Sequence, residues 1–177
     1  MGDETLLAVT AIGNDRPGIV AAVTRTLYEL GCNLEDATST ILRGHFAMML
    51  VVSAPPGLAP EEVERRLRTI ARDMHLVITA RPVEVADLEV KPPTHVLSVY
   101  GSDKPGIVFE ITQFLASEGA NITDLTSRII GSEEHPIYAL MLEVALPEDP
   151  SFEESLRALS ERIGVDVSIH PIEPDIL

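Results

Sequence analysis

An eight-residue phrase occurs twice in this chain, 88 positions apart, as Gly13-Asn-Asp-Arg-Pro-Gly-Ile-Val20 and Gly101-Ser-Asp-Lys-Pro-Gly-Ile-Val108. Six of the eight residues are identical, and a second match follows at the same offset. Gly31, Asn33, Asp36, Thr38 and Ser39 align with Gly119, Asn121, Asp124, Thr126 and Ser127. A repeat of this length is too long for a solenoid unit and suits two small domains. With 177 residues to divide, each domain stands near the lower limit for an independent core. Hydrophobic residues make up 45% but aromatics only 4%, with no Trp, so that core must be aliphatic. The expected division is residues 1–84 and 95–177, with a linker at 85–94. The stretch from about Arg81 to Thr94 carries Pro82, Pro92, Pro93 and alternating charges, and reads as extended and semi-rigid.

Both repeats carry the same succession of patterns. Leu6 to Ile12 and Val96 to Tyr100 are β-leaning runs that lead into the duplicated turn. Pro17 and Pro105 suit the first turn of a helix, where the missing N–H costs nothing. Ile19, Val20, Val23, Leu27 and Leu30 then describe one helical face, as do Ile107, Val108, Ile111 and Leu115. Gly31 and Gly119 stand where a helix C-terminus calls for a positive φ. Two strands follow in each half, about Asn33–Leu42 with Phe46–Ser53, and Asn121–Ile130 with Ile137–Leu146. The first pair is joined at Arg43-Gly44-His45, the second by the six residues 131–136, three residues longer. Second helices open at Pro60 and after Ser151, where Ser151 and Glu154 have capping-box spacing. Val63, Leu67, Ile70 and Met74 form one apolar stripe, and Leu156, Leu159 and Ile163 the other. Final strands are expected at about Leu76–Ala80 and Val165–His170. Each half reads β-α-β-β-α-β, an α+β arrangement with both helices on one face of an antiparallel sheet.

The duplicated turn has a chemistry of its own. The first N–H groups of a helix lack internal partners and carry partial positive charge, so a carboxylate or phosphate fits there. Gly18 and Gly106 have no β-carbon to hold a ligand away from the backbone. Asn33 and Asn121 begin the second strands, which are expected near the sheet end where the first helix starts. An Asn amide can donate to a carboxylate and accept from an ammonium. An anion site with an acceptor cluster describes a receptor for a free α-amino acid rather than a catalyst. Backbone geometry alone also accounts for Gly and Pro at such turns, Asp15 or Asp103 can serve as a helix cap, and duplication can repeat both.

Composition excludes several functions. A net charge of −15 opposes direct nucleic-acid binding. Residues 1–84 hold 11 acids and 8 bases, whereas 85–177 hold 17 acids and 5 bases. The second half therefore offers either a solvated face or a surface for a basic partner. Cys32 is the sole cysteine and, in its apolar setting, reads as an inert thiol. His45, His75, His95, His135 and His170 stand apart without metal-ligand spacing. Glu133-Glu134 and Glu153-Glu154 read as solvated acids, and Arg65, Arg66, Arg68 and Arg72 as partners of nearby glutamates at i, i+4. No catalytic residue, metal site or cofactor motif is found. The N-terminus lacks the pattern of a signal peptide and no apolar run reaches membrane-span length, so a soluble, cytoplasmic protein is expected.

At the paired motifs the chain resembles the ACT domain family, in tandem, over nearly its whole length. The matching residues are Asp15-Arg-Pro-Gly-Ile-Val20 with Gly31-Cys-Asn-Leu-Glu-Asp36, and Asp103-Lys-Pro-Gly-Ile-Val108 with Gly119-Ala-Asn-Ile-Thr-Asp124. The resemblance implies two ferredoxin-like βαββαβ domains packed edge to edge, with amino acids bound at the domain interface. Carried over by position, the ligand-binding residues are Asn14, Asp15, Arg16, Pro17, Gly18, Ile19, Asn33 and Leu34. The second set is Asp103, Lys104, Pro105, Gly106, Ile107, Asn121 and Ile122. It implies a non-enzymatic regulator, as a homodimer, that senses a small free amino acid, glycine or serine first. It would act through a protein partner, a transcription factor or a metabolic enzyme, without touching nucleic acid or membrane. A dimerisation module without a ligand, or a regulatory subunit of an enzyme, is the competing expectation.

Overall fold

In a computed structural model, which describes residues 5–83, 91–132, 134 and 136–172, the elements follow the order read from the repeat. The first half contains β1 (Thr5–Asn14), α1 (Ile19–Glu29), β2 (Asn33–Leu42), β3 (His45–Ala54), α2 (Pro60–Asp73) and β4 (Leu76–Pro82). The second contains β5 (His95–Ser102), α3 (Ile107–Ser117), β6 (Asn121–Gly131), β7 (Pro136–Ala145), α4 (Phe152–Ile163) and β8 (Asp166–Pro171). The strand orders are β2-β3-β1-β4 and β6-β7-β5-β8, antiparallel throughout. Both halves are therefore ferredoxin-like βαββαβ folds. The chain divides into two compact units, Met1–Glu89 and Val90–Leu177. Most of the expected linker, together with Glu133 and His135, lies outside the described residues.

Strand alternation places one face of each sheet against its helices. In the first unit Leu7, Val9 and Ala11 of β1 and Met48, Leu50 and Val52 of β3 are buried against Ile19, Val23 and Leu27 of α1 and Val63 and Leu67 of α2. In the second, Leu97, Val99, Leu140, Leu142 and Val144 meet Ile107, Ile111, Leu115, Leu156 and Leu159. The stripes were legible from spacing, except that Val20, assigned to the α1 apolar face, stands exposed. Cys32 packs half-buried beside the first core, and burial pushes its thiol pKa up, away from nucleophilic character.

Helix ends hold one success and two corrections. Gly31 and Gly119 adopt φ of 78° and 71°. In the first copy Cys32 N–H reaches Leu27 O and Gly31 N–H reaches Tyr28 O; in the second, Ala120 reaches Leu115 and Gly119 reaches Ala116. These are paired Schellman closures, satisfying carbonyls the helix leaves bare. The expected capping box at Ser151 is not formed. Ser151 makes no side-chain cap and donates both its N–H and its hydroxyl to Asp149 Oδ1 instead. Pro17 and Pro105 lie one residue before the N-caps, which are Gly18 and Gly106. The arginine pairs also differ from expectation: Arg65 bonds Glu62 three residues back, and Arg66 reaches Glu29 on α1.

Candidate functional site

The repeated turn follows the same course in both units. β1 and β5 end at Asn14 and Ser102, the chain crosses Asp15-Arg16-Pro17 or Asp103-Lys104-Pro105, and a left-handed glycine starts the helix. Gly18 has φ of 93° and Gly106 of 99°. A β-carbon at Gly106 would meet nothing within 4 Å, and one at Gly18 only Met74 Cε at 3.8 Å. Backbone conformation, rather than crowding, is thus what demands glycine at these two positions. Gly13 and Gly101 answer to the opposite need. A β-carbon at Gly13 would stand 2.6 Å from Leu76 Cδ2, and one at Gly101 2.8 Å from Val165 Cγ1. The first residue of the phrase lets the neighbouring segment press close; the sixth sets the turn.

Neither helix start is capped by a side chain. The first helical hydrogen bonds run from Ala22 N–H to Gly18 O and from Glu110 N–H to Gly106 O, each 2.9 Å. The amides of Ile19, Val20 and Ala21, and of Ile107, Val108 and Phe109, precede them and find no acceptor among the described residues. Asp15 is not the cap: its own N–H donates to Gly44 O at 2.9 Å, tying the loop to the β2–β3 hairpin. In the first unit these amides open into a cleft of about 580 Å³ lined by Asp15, Arg16, Gly18 and Ile19–Ala21, with Ser39, Thr40 and Ile41 of β2 and Phe46 of β3. Half-buried Arg16 makes no ion pair among the described residues.

The strand register separates the two parts of the expected site. Asn33 pairs with Ser53, which pairs with Leu6 at the beginning of β1, whereas the loop follows Asn14 at its end. Eight residues of strand, about 26 Å, lie between. Asn121 pairs with Ala145 beyond His95, at the end of its sheet remote from Ser102. The expectation that β2 begins near the start of α1 is therefore wrong. The helix runs back along the sheet, so the chain leaves it at the opposite end. Leu34 and Ile122 travel with their asparagines. Asn33 is moreover engaged locally, donating from Nδ2 to Glu35 Oε1 at 3.0 Å, while Ser53 Oγ donates to the same oxygen at 2.6 Å. Those two donors, Ser53 first, hold the Glu35 carboxyl below the ordinary carboxylate range. A bulge follows at Leu34/Asp36 and recurs at Ile122/Asp124.

What the loop does meet is the far end of β2. Ser39, Thr40, Ile41 and Phe46 lie outside the residues that the two motifs predict for the site, although Ser39 and Ser127 are themselves part of the repeated pattern. The chemistry available is anion binding by free amides and Arg16, with the Asp15 carboxylate beside it. Among the described residues no group of His, Cys, Asp and Glu is arranged to hold a metal ion, and no helix is long and apolar enough to cross a membrane.

Comparison with known proteins agrees with this architecture. The chain is 24% identical to the glycine cleavage system transcriptional repressor of Escherichia coli (strain K12) over 177 residues, covering 97% of this chain and 93% of that protein. A crystal structure of an unknown protein from Galdieria sulphuraria superposes with a TM-score of 0.81 at 26% identity, covering 97% of this chain and all of that one. A putative glycine cleavage system transcriptional repressor superposes at 0.70 with 21% identity over 96% and 98%, sharing the fold. Models of the ACT domain match residues 5–81 and 95–161, one on each βαββαβ unit. The uncapped strand–turn–helix junction is thus repeated inside two matched domains, and the chain belongs to the ACT domain family.

Proposed function

We propose that the chain is an amino-acid-sensing regulatory protein whose ligand is a small free amino acid, glycine or serine first. The observation that carries the reading is the uncapped start of α1 and of α3, with three amides free in each. In the first unit the ligand carboxylate lies on the Ile19, Val20 and Ala21 amides beside Arg16, and its ammonium turns to Asp15 and the Ser39 hydroxyl. Asp103, Lys104, Pro105, Gly106 and Ile107 offer the second unit the same turn, with lysine in the arginine's place. A cleft flanked closely by backbone favours a ligand with little or no side chain.

Asn33 and Asn121, remote from the loop of their own sheet, can join such a site only from a different sheet, and the reading includes a homodimer. β2 is an edge strand exposed along its length, which suits it for meeting a second copy. The output is regulation through a protein partner, a transcription factor or a metabolic enzyme. Similarity to a transcriptional repressor favours the former, and the net charge of −15 favours a protein rather than DNA as the contact.

Titration calorimetry with the twenty amino acids tests the reading. Glycine or serine should bind with micromolar-to-millimolar affinity. Gly18→Val with Gly106→Val should abolish the signal, because a β-branched residue cannot hold these φ values and the amides turn away. Retained binding in that double variant removes the loops from the site.

A further inference from the structure

The helix-free face of the second sheet holds a separate cleft of about 470 Å³, within the size range of small-molecule sites. The strand register arranges its lining into two poles. Asp124 of β6 lies directly opposite Glu143 of β7, making an acidic end. Arg128 lies opposite Ala139, which lies opposite Tyr100, making a cationic and phenolic end. The poles are four residues apart on β6, about 13 Å along the strand. Between them lie Thr126 and half-exposed Met141, and at the cationic pole Ala139, between Arg128 and Tyr100, is too small to fill the space. Among the described residues the charged ends of Asp124, Arg128 and Glu143 have no ion-pair partner. Like charges directly opposite on an antiparallel pair destabilise a sheet, a cost that a cation bound between them removes.

The first unit is an internal control with the same fold. Asp36, Thr38, Ala47 and Met49 occupy the places of Asp124, Thr126, Ala139 and Met141. Where the second sheet has Tyr100, Arg128 and Glu143, the first has Ile12, Thr40 and Val51, and its cleft measures about 220 Å³. Shared backbone needs explain the common residues. They do not explain why an acid, a base and a phenol surround one cavity in the second copy alone.

We infer that this cleft binds a free amino acid with a cationic side chain, such as lysine, ornithine or arginine. The side-chain cation sits between Asp124 and Glu143, the aliphatic stem lies over Met141 and Ala139, and the carboxylate meets Arg128 and the Tyr100 hydroxyl. A neutral amino acid leaves the acidic pair unanswered, and a dicarboxylate is repelled by it. The site shares no residue with the β1–α1 and β5–α3 loops, so either can fail without the other.

The test is calorimetry on the intact chain with lysine, ornithine and arginine, and norleucine as the uncharged isostere of the stem. One basic amino acid should bind at one site per chain, with norleucine at least about tenfold weaker. Glu143→Gln and Asp124→Asn should each weaken it about tenfold, and Ala139→Leu should remove it by filling the floor. Gly18→Val with Gly106→Val should leave it unchanged. Circular dichroism verifies folding, and the exposed isosteric substitutions provide readouts that core packing does not control. Absence of binding, equal binding of norleucine, or insensitivity to Glu143→Gln overturns the inference. So does binding of an oligolysine peptide without binding of any free basic amino acid, which would indicate a macromolecular occupant.

Discussion

Two glycines of the duplicated phrase are held by different forces, and alanine and asparagine substitutions separate them. At Gly13 the added β-carbon lands 2.6 Å from Leu76 Cδ2 and 2.9 Å from the His75 carbonyl oxygen. The leucine methyl can swing aside, but the carbonyl moves only if the entry to β4 moves. Such overpacking costs about 1–3 kcal/mol. The smaller entropy of the unfolded alanine chain offsets about 0.4–1 kcal/mol of that, leaving a net loss of about 1–2 kcal/mol. At Gly18 there is room, since the nearest atom is 3.8 Å away, but φ is 93°. An L-residue there loses about 1–2 kcal/mol, and asparagine less than alanine because its short polar side chain tolerates this region. Gly18→Asn should therefore recover part of the loss seen in Gly18→Ala, whereas Gly13→Asn should be worse than Gly13→Ala. For a domain of this size each kcal/mol corresponds to a melting shift of about 4–8 °C. Thermal and urea melts followed by circular dichroism supply the magnitudes, and hydrogen exchange on β1 assigns them to the first unit. A neutral or stabilising Gly13→Ala, or a Gly18→Asn no better than Gly18→Ala, refutes the division of roles.

Two further outcomes follow from the hydrogen bonding. Glu35 owes its lowered pKa to Ser53 and Asn33; its contribution to stability is fully present above the unfolded carboxylate pKa and is lost as pH falls through the folded value. Ser53→Ala should move the Glu35 titration, followed by NMR, upward toward the ordinary carboxylate range. Because Asp149, not Glu154, receives the Ser151 donors, Asp149→Ala should lower the melting temperature measurably while Glu154→Gln changes it little. The reverse order would restore the capping box.

Local signals carried the fold further than they carried the site. Apolar spacing located the helices and the strands that bury one face, because burial of one face is a property of near neighbours in sequence; β2, exposed along its length, followed from the turn at Arg43-Gly44-His45 that joins it to β3. Gly31 and Gly119 were legible as helix stops because a Schellman closure is completed within six residues. The Ser151–Glu154 spacing misled because Asp149, nearer in the turn, takes the Ser151 N–H that Glu154 would accept and engages the hydroxyl as a donor as well. The error over Asn33 is of another kind. Its motif repeats as faithfully as the loop motif, so the pair looked like two halves of one pocket. Repetition records a shared origin of the two copies, not that the motifs are adjacent. Adjacency depends on strand direction: α1 returns the chain to the beginning of β1, so β2 starts where β1 starts and only its last residues approach the loop. Ser39 could have been found by carrying that direction through, since the strand that begins remote from the turn must end beside it. The same arithmetic bears on function. A motif whose halves lie about 26 Å apart in one sheet can be joined only by a second sheet. For this chain, amino-acid binding through both halves is therefore a hypothesis about two sheets, and undiminished binding in an Asn33→Ala, Asn121→Ala double variant would contradict it.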